Sequence, residues 1–132
     1  MRVVADSHAL VWYAQGSPRL SAIAAEALRT AEAGDGVVVS MATLVDLWYV
    51  SQTTRAVSAE QLTEIRDMIE TSPAIELFPM DMAVTNAFTS IDRELLRDPW
   101  DRFIVATARV LAVPLVTRDG AIQRSELVAT IW

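Results

Sequence analysis

The feature that most restricts this chain is an alternation, kept up from one end to the other, of short runs rich in Val, Ile and Leu with longer segments of helical pattern. Strand candidates lie at Arg2–Ala5, Val37–Val39, Ile75–Phe78 and Leu115–Thr117, with a fifth at Leu127–Ile131. The stretches between them carry helix punctuation. Ser17-Pro18 breaks a first helix, His8–Gln15, and Ser21 is placed to cap an Ala-rich helix from Ala22 to Ala33 that Gly34-Asp35-Gly36 ends. Ser40 precedes a helix over Met41–Ser51, and Ser58 with Gln61 three residues on makes a capping box for Ala59–Glu70. Asp81 caps an expected helix Met82–Leu95, Asp98-Pro99 supplies the N-cap and first position of the next, and a short helical piece surrounds Ile122. Such alternation implies βαβ units: a three-layer α/β/α sandwich with a mainly parallel central sheet of four to five strands. At 132 residues a single domain, 1–132, is expected.

What the chain lacks removes whole classes of chemistry. All 11 cationic side chains are Arg, so P-loop, Schiff-base and receiver-domain mechanisms, each of which needs a lysine, are excluded. With no Cys there are no disulfides, thiolate nucleophiles or Cys-based zinc sites, and one His, His8, cannot make a His-rich metal centre. Carboxylates remain as the metal-binding groups. No apolar run approaches the roughly 20 residues of a membrane-spanning helix. Asp6 and His8 interrupt the apolar N-terminal stretch, so it reads as a folded N-terminus rather than a signal peptide, and the expected location is cytoplasmic. The net charge of −6 opposes broad attraction to nucleic acid unless the acids converge on a bound cation that reverses the local sign.

In open parallel sheets ligands bind beyond the carboxyl ends of the strands, and two acids follow strands directly: Asp6 and Asp119. Either alone reads equally well as a helix cap or turn residue. Asp46 is more telling, because its helix is otherwise apolar; unless it lies on an exposed edge, its carboxylate needs an arginine, hydrogen bonds, a metal or a proton. Asp98 and Asp101 occupy the N-cap and N3 of one helix, where both also serve as structural caps. Three or four converging carboxylates would suit Mg2+ or Mn2+ and the hydrolysis of a phosphodiester by an activated water. Arg102 and Arg118, beside these acids in sequence, either hold phosphate or pair with their neighbours.

The segment Val4-Ala5-Asp6-Ser7-His8-Ala9-Leu10-Val11-Trp12 resembles the D-[TS]-H-A-x-x-W opening of the VapC-type toxins of the PIN-domain ribonuclease family, and Ser17-Pro18-Arg19-Leu20-Ser21 resembles the P-R-L-S that follows it. Arg97-Asp98-Pro99-Trp100-Asp101-Arg102, with Ile104-Val105-Ala106, is similar to R-D-P-F-D-R-x-[IL]-[IV]-A, and Leu115-Val116-Thr117-Arg118-Asp119 to the closing L-V-T-x-D. The resemblance covers nearly the whole chain. It implies a PIN-like fold and an Mg2+- or Mn2+-dependent endoribonuclease, the toxin of a type II toxin–antitoxin pair, held inactive by a cognate VapB-type antitoxin. It further implies that Asp6, Asp46, Asp101 and Asp119 are catalytic, that Asp6, Asp98, Asp101 and Asp119 hold the metal, and that Ser7, Arg102, Thr117 and Arg118 meet the RNA. Of Asp98 and Asp101, Asp101 is the favoured member of the cluster.

The departure is Asp46, where the family usually has Glu: one methylene shorter, it leaves the ion reachable through a water or by a closer helix, which would lower activity. The alternative function is accordingly a catalytically weakened PIN-like interaction module that mainly binds its antitoxin. A homodimer is expected from the apolar fraction. His8 is expected to be packed and bonded to backbone. The four Trp, with Tyr13 and Tyr49, are expected in core or interface, base stacking being the sharper alternative and Trp100 its best candidate.

Overall fold

The computed structural model describes all of residues 1–132. Five strands, β1 (Val3–Ala5), β2 (Val37–Ser40), β3 (Ile75–Phe78), β4 (Leu115–Val116) and β5 (Thr130–Ile131), form one sheet in the order β3-β2-β1-β4-β5. Every pairing is parallel, with Val3 opposite Val37, Val37 opposite Ile75, Ala5 opposite Val116 and Leu115 opposite Thr130. Seven helices fill the connections: α1 (Ser7–Gln15), α2 (Ala22–Ala33), α3 (Met41–Thr53), α4 (Ala59–Thr71), α5 (Met82–Thr89), α6 (Pro99–Leu111) and α7 (Gly120–Ser125). No helix is long and apolar enough to cross a membrane.

The period of two along each strand divides the core in two. Val3, Ala5, Val37, Val39 and Val116 face α1, α2 and α4, meeting Leu10, Leu28 and Ile65, whereas Val4, Val38 and Leu115 face the other way and pack on Val84, Ile104, Val105 and Ile122 of α5, α6 and α7. A sheet covered on both faces explains why its strands read as unbroken apolar runs. The result is an α/β/α sandwich.

Most caps stand where the residue types put them: Ser21, Ser40, Ser58, Asp81, Asp98 and Asp119 each accept from a backbone N–H of the first helical turn, and Ser58 with Gln61 closes a full capping box. Gly16, at φ 61°, ends α1 in the left-handed region, where a Cβ would be strained. One helix differs from expectation. The segment expected as Met82–Leu95 ends at Thr89, because Thr89 and Ser90 turn their hydroxyls back onto the carbonyls of Asn86 and Ala87 and Asp92 accepts from the Glu94 N–H, competing with the helical ladder.

Chain order creates the site. From β1 the chain winds outward through β2 to β3, then returns past β1 to β4 and β5, so the connections leave the carboxyl ends of β1 and β4 in opposite directions and open a crevice between them. α6, which packs across the sheet by the fully buried Ile104, fixes one wall of that crevice. Ile104→Ala is expected to cost about 2–5 kcal/mol in urea unfolding; a loss under about 1 kcal/mol would contradict the packing described.

Candidate active site

Asp6 sits where β1 ends and α1 begins, only 5% exposed. Its carboxylate accepts from the Ser7 N–H at 2.7 Å and from the Thr117 hydroxyl at 2.6 Å. Thr117, fully buried just past β4, in turn accepts from the Asp119 N–H at 3.0 Å, and Asp119 caps α7 by accepting from the Ile122 N–H at 2.9 Å. The neighbouring strands β1 and β4 thus tie Asp6, Thr117 and Asp119 into one chain of hydrogen bonds. The Ser7 hydroxyl donates to Asp46 at 2.8 Å, which fastens α3 to the start of α1. Asp98 accepts from the Trp100 N–H at 2.8 Å as the cap of α6, and Asp101 follows in its first turn.

Five carboxylates lie near enough to act on one another. Burial pushes the Asp101 carboxyl up to about 8, reinforced in falling order by the charges of Asp6, Asp98, Asp119 and Asp46. Burial also raises Asp6, opposed by the Thr117 and Ser7 hydrogen bonds, and raises Asp46, which Ser7 partly offsets and Asp98 increases. His8 lowers Asp6 and Asp46 in part, but none of the five acids is in an ion pair: those of the chain are the N-terminus with Asp35, Arg2 with Glu76, Arg29 with Glu26 and Arg97 with Glu94. Concentrated, unpaired carboxylates in a half-buried crevice are strained against one another, and a divalent cation is what relieves such strain.

The donor set is all hard oxygen, which fits Mg2+ or Mn2+ and not a soft metal. The coordination sphere is not closed, however. No three acidic or histidine side chains are arranged to hold an ion between them, so an ion held there would need the carboxylates to move closer together.

Asp6, Asp46 and Asp119 also line a cavity of about 540 Å³ whose other walls include Val11, Trp12, Leu47 and Val50. Arg118 is exposed at its rim with the guanidinium over Trp12, 5.6 Å from the ring centroid. Of the residues expected to meet substrate, Ser7, Thr117 and Arg118 are at the site, but Arg102 is not beside the acids. It is 9% exposed, its guanidinium lies 4.7 Å over the Phe88 ring and its Nε has no partner, because from the first turn of α6 it is directed toward α5. His8 also differs from expectation: it is exposed at the cavity, beside Trp12, rather than packed. Arg19 lines the same cavity and had no role assigned from sequence, although it lies in the Pro18-Arg19-Leu20-Ser21 segment that the Gly16 turn folds back over α1.

A family model for the PIN domain matches residues 3–126. The chain is a member of the PIN domain family. By sequence it matches no curated protein. In three dimensions it is similar to VapBC2 from Rickettsia felis bound to a fragment of promoter DNA, with a TM-score of 0.72 at 16% identity over 98% of this chain and 97% of that one. It is likewise similar to DNA-bound VapBC from Salmonella typhimurium, TM-score 0.72, 18% identity, covering 98% and 96% of the two chains. VapBC-5 from Mycobacterium tuberculosis gives a TM-score of 0.59 at 19% identity, covering 97% and 93%. At these identities the likeness is one of fold.

The raised Asp101 carboxyl sets a pH dependence for this PIN domain. Its folded value lies above the ordinary 3.8, so the folded chain holds a proton the unfolded chain releases, and the associated stability is lost as pH rises from about 4 through about 8. Without divalent metal, Tm is therefore expected to fall between about pH 5 and pH 9, and Asp101→Asn is expected to flatten that fall and raise Tm at alkaline pH. A metal-free Tm that rises over the same interval, or an Asp101→Asn variant with an unchanged profile, would contradict the assignment.

Proposed function

We propose that this PIN domain is a metal-dependent endoribonuclease acting as the VapC-type toxin of a type II toxin–antitoxin pair in the cytoplasm. One observation carries the reading: Asp6, Asp46, Asp98, Asp101 and Asp119, remote in sequence, act on one another at one crevice, and none of them is in an ion pair. Asp6, Asp98, Asp101 and Asp119 would hold Mg2+ or Mn2+. When bound, such an ion polarises the phosphoryl group and lowers the pKa of a coordinated water.

The chain's own groups do the rest. Thr117 and the Ser7 N–H fix both oxygens of Asp6, so this carboxylate cannot rotate away from the crevice. Asp101, pushed up to about 8 by burial and the neighbouring acids, would have to release its proton to help hold a cation, which would make cation uptake stronger as pH rises. Asp46, oriented by the Ser7 hydroxyl, is the acceptor that aligns an attacking water. Arg118, stacked over Trp12, is placed to hold a flanking phosphate at the rim.

The partner is a VapB-type antitoxin, a reading supported by the fold likeness to VapBC proteins. The cavity joins apolar walls at Val11, Leu47 and Val50 to acids at its end, complementary to an amphipathic segment that carries a basic side chain. Pairing of two copies would cover the exposed Met80 and Met82 ahead of and within α5.

Purified protein should cut RNA in Mn2+, and Asp6→Asn should lose about a hundredfold or more in rate with its circular dichroism unchanged. Cleavage by that variant at the parental rate would refute the nuclease reading. A second reading, a weakened site that chiefly binds antitoxin, is favoured by Asp46, whose short carboxylate is already engaged by Ser7, and by the open arrangement of the acids. The two separate on Asp46→Glu: under the weakened-site reading the longer side chain raises both Mn2+ affinity and cleavage, whereas in a fully competent site it changes neither or lowers them.

A further inference from the structure

Nine Trp, Tyr and Phe residues occur in the chain, and only two, Trp48 and Tyr49, are exposed, at 50% and 47%. Both lie on α3 next to the acids. Tyr49 is one turn beyond Asp46, so the two share a helix face. The Tyr49 ring packs on Trp100, centroids 5.9 Å apart and planes inclined by 32°, and Trp48 meets Tyr49 edge-on at 5.0 Å. Trp100 stands between Asp98 and Asp101, and its N–H is the one that Asp98 caps. The contact of α3 with the start of α6 that brings Asp46 close to Asp98 therefore also sets Tyr49 against Trp100, and the aromatic row leads outward from the carboxylates as Trp100, Tyr49, Trp48.

We propose that this row is a base-stacking subsite, on which unpaired bases of the RNA lie while the adjoining phosphodiester is presented to the carboxylates; the proposal rests on the nuclease reading above and adds how substrate is held. Charge argues for it. None of the site carboxylates is in an ion pair and the chain carries a net −6, so phosphate is drawn to the site only by the rim arginines and by any bound cation, whereas a ring stacks on a base through its π-face without needing an opposite charge. A row that begins in the first turn of the helix bearing Asp98 and Asp101 favours substrate over a second copy of the chain as occupant, because a copy seated there would cover the approach to the acids. Stacking needs exposed base faces, so the subsite selects single-stranded over duplex RNA.

The test uses a fluorescein-labelled single-stranded RNA of about eight nucleotides in Ca2+, so that a divalent cation offsets the charge of the acids, followed by anisotropy and by tryptophan emission. Wild type should bind it with quenched emission and with little dependence on salt, and a duplex of the same length should bind far less. Tyr49→Ala and Trp48→Ala should each weaken binding about tenfold, Tyr49→Phe should restore it, and Ile23→Ala, an exposed apolar site on α2, should leave it unchanged. In Mn2+ the alanine variants should raise KM with kcat kept. Unchanged affinity in folded Tyr49→Ala and Trp48→Ala, no binding by wild type, or a dimer that these variants dissociate in light scattering would overturn the subsite. Cleavage by wild type with KM unmoved in the variants would sink the subsite and spare the nuclease reading; ring-dependent binding without cleavage in Mn2+ would do the reverse.

Discussion

Mutual repulsion among five carboxylates is the constraint around which the rest of this molecule is arranged. Left to themselves such groups would separate or protonate, and the Asp101 carboxyl, raised to about 8 chiefly by burial and then by its four acidic neighbours, shows how far the fold resists the first outcome. Three devices hold the cluster. The parallel pairing of β1 with β4 brings Asp6 to Thr117, the Ser7 hydroxyl ties Asp46 to the start of α1, and the buried face of α6 anchors the helix whose start carries Asp98 and Asp101. The two apolar layers on either side of the sheet supply the stability that this arrangement costs.

That balance connects the fold to its chemistry. A crevice at the point where strand order reverses is common to doubly wound sheets, but its contents decide the function. Here the contents are all carboxylate and hydroxyl, with arginine confined to the rim at Arg118 and Arg19 and with aromatic rings on the outer flank. Acids alone would repel a polyanion. A divalent cation held there, as the proposed function requires, would change the sign of the local field and so join metal and substrate affinity.

Much of this was legible in the order of residues. Val37–Val39 and Leu115–Val116 could be read as strands because both faces of the sheet are covered, and the caps at Ser21, Ser58 and Asp98 because side-chain oxygens satisfy the first-turn amides in a local, sequence-readable way. The acids at strand ends were legible for the same reason: parallel topology fixes where a strand-end residue goes. Arg102 was misplaced because adjacency in sequence says nothing about direction on a helix; next to Asp101, it points away from it and over Phe88. The end of α5 at Thr89 was missed because the hydroxyls of Thr89 and Ser90 oppose an apolar periodicity that continues past them. His8 and Arg19 at the cavity, and the Trp48–Tyr49–Trp100 row, depend on how helices pack and could not be seen in spacing alone.

The most direct measurement is anomalous diffraction from crystals of this chain soaked in Mn2+. The account requires a manganese peak in the crevice between β1 and β4, within coordinating distance, about 2.0–2.3 Å, of Asp6 and of at least two among Asp98, Asp101 and Asp119. A fully soaked crystal with no peak there, or with manganese bound only elsewhere on the surface, would contradict it.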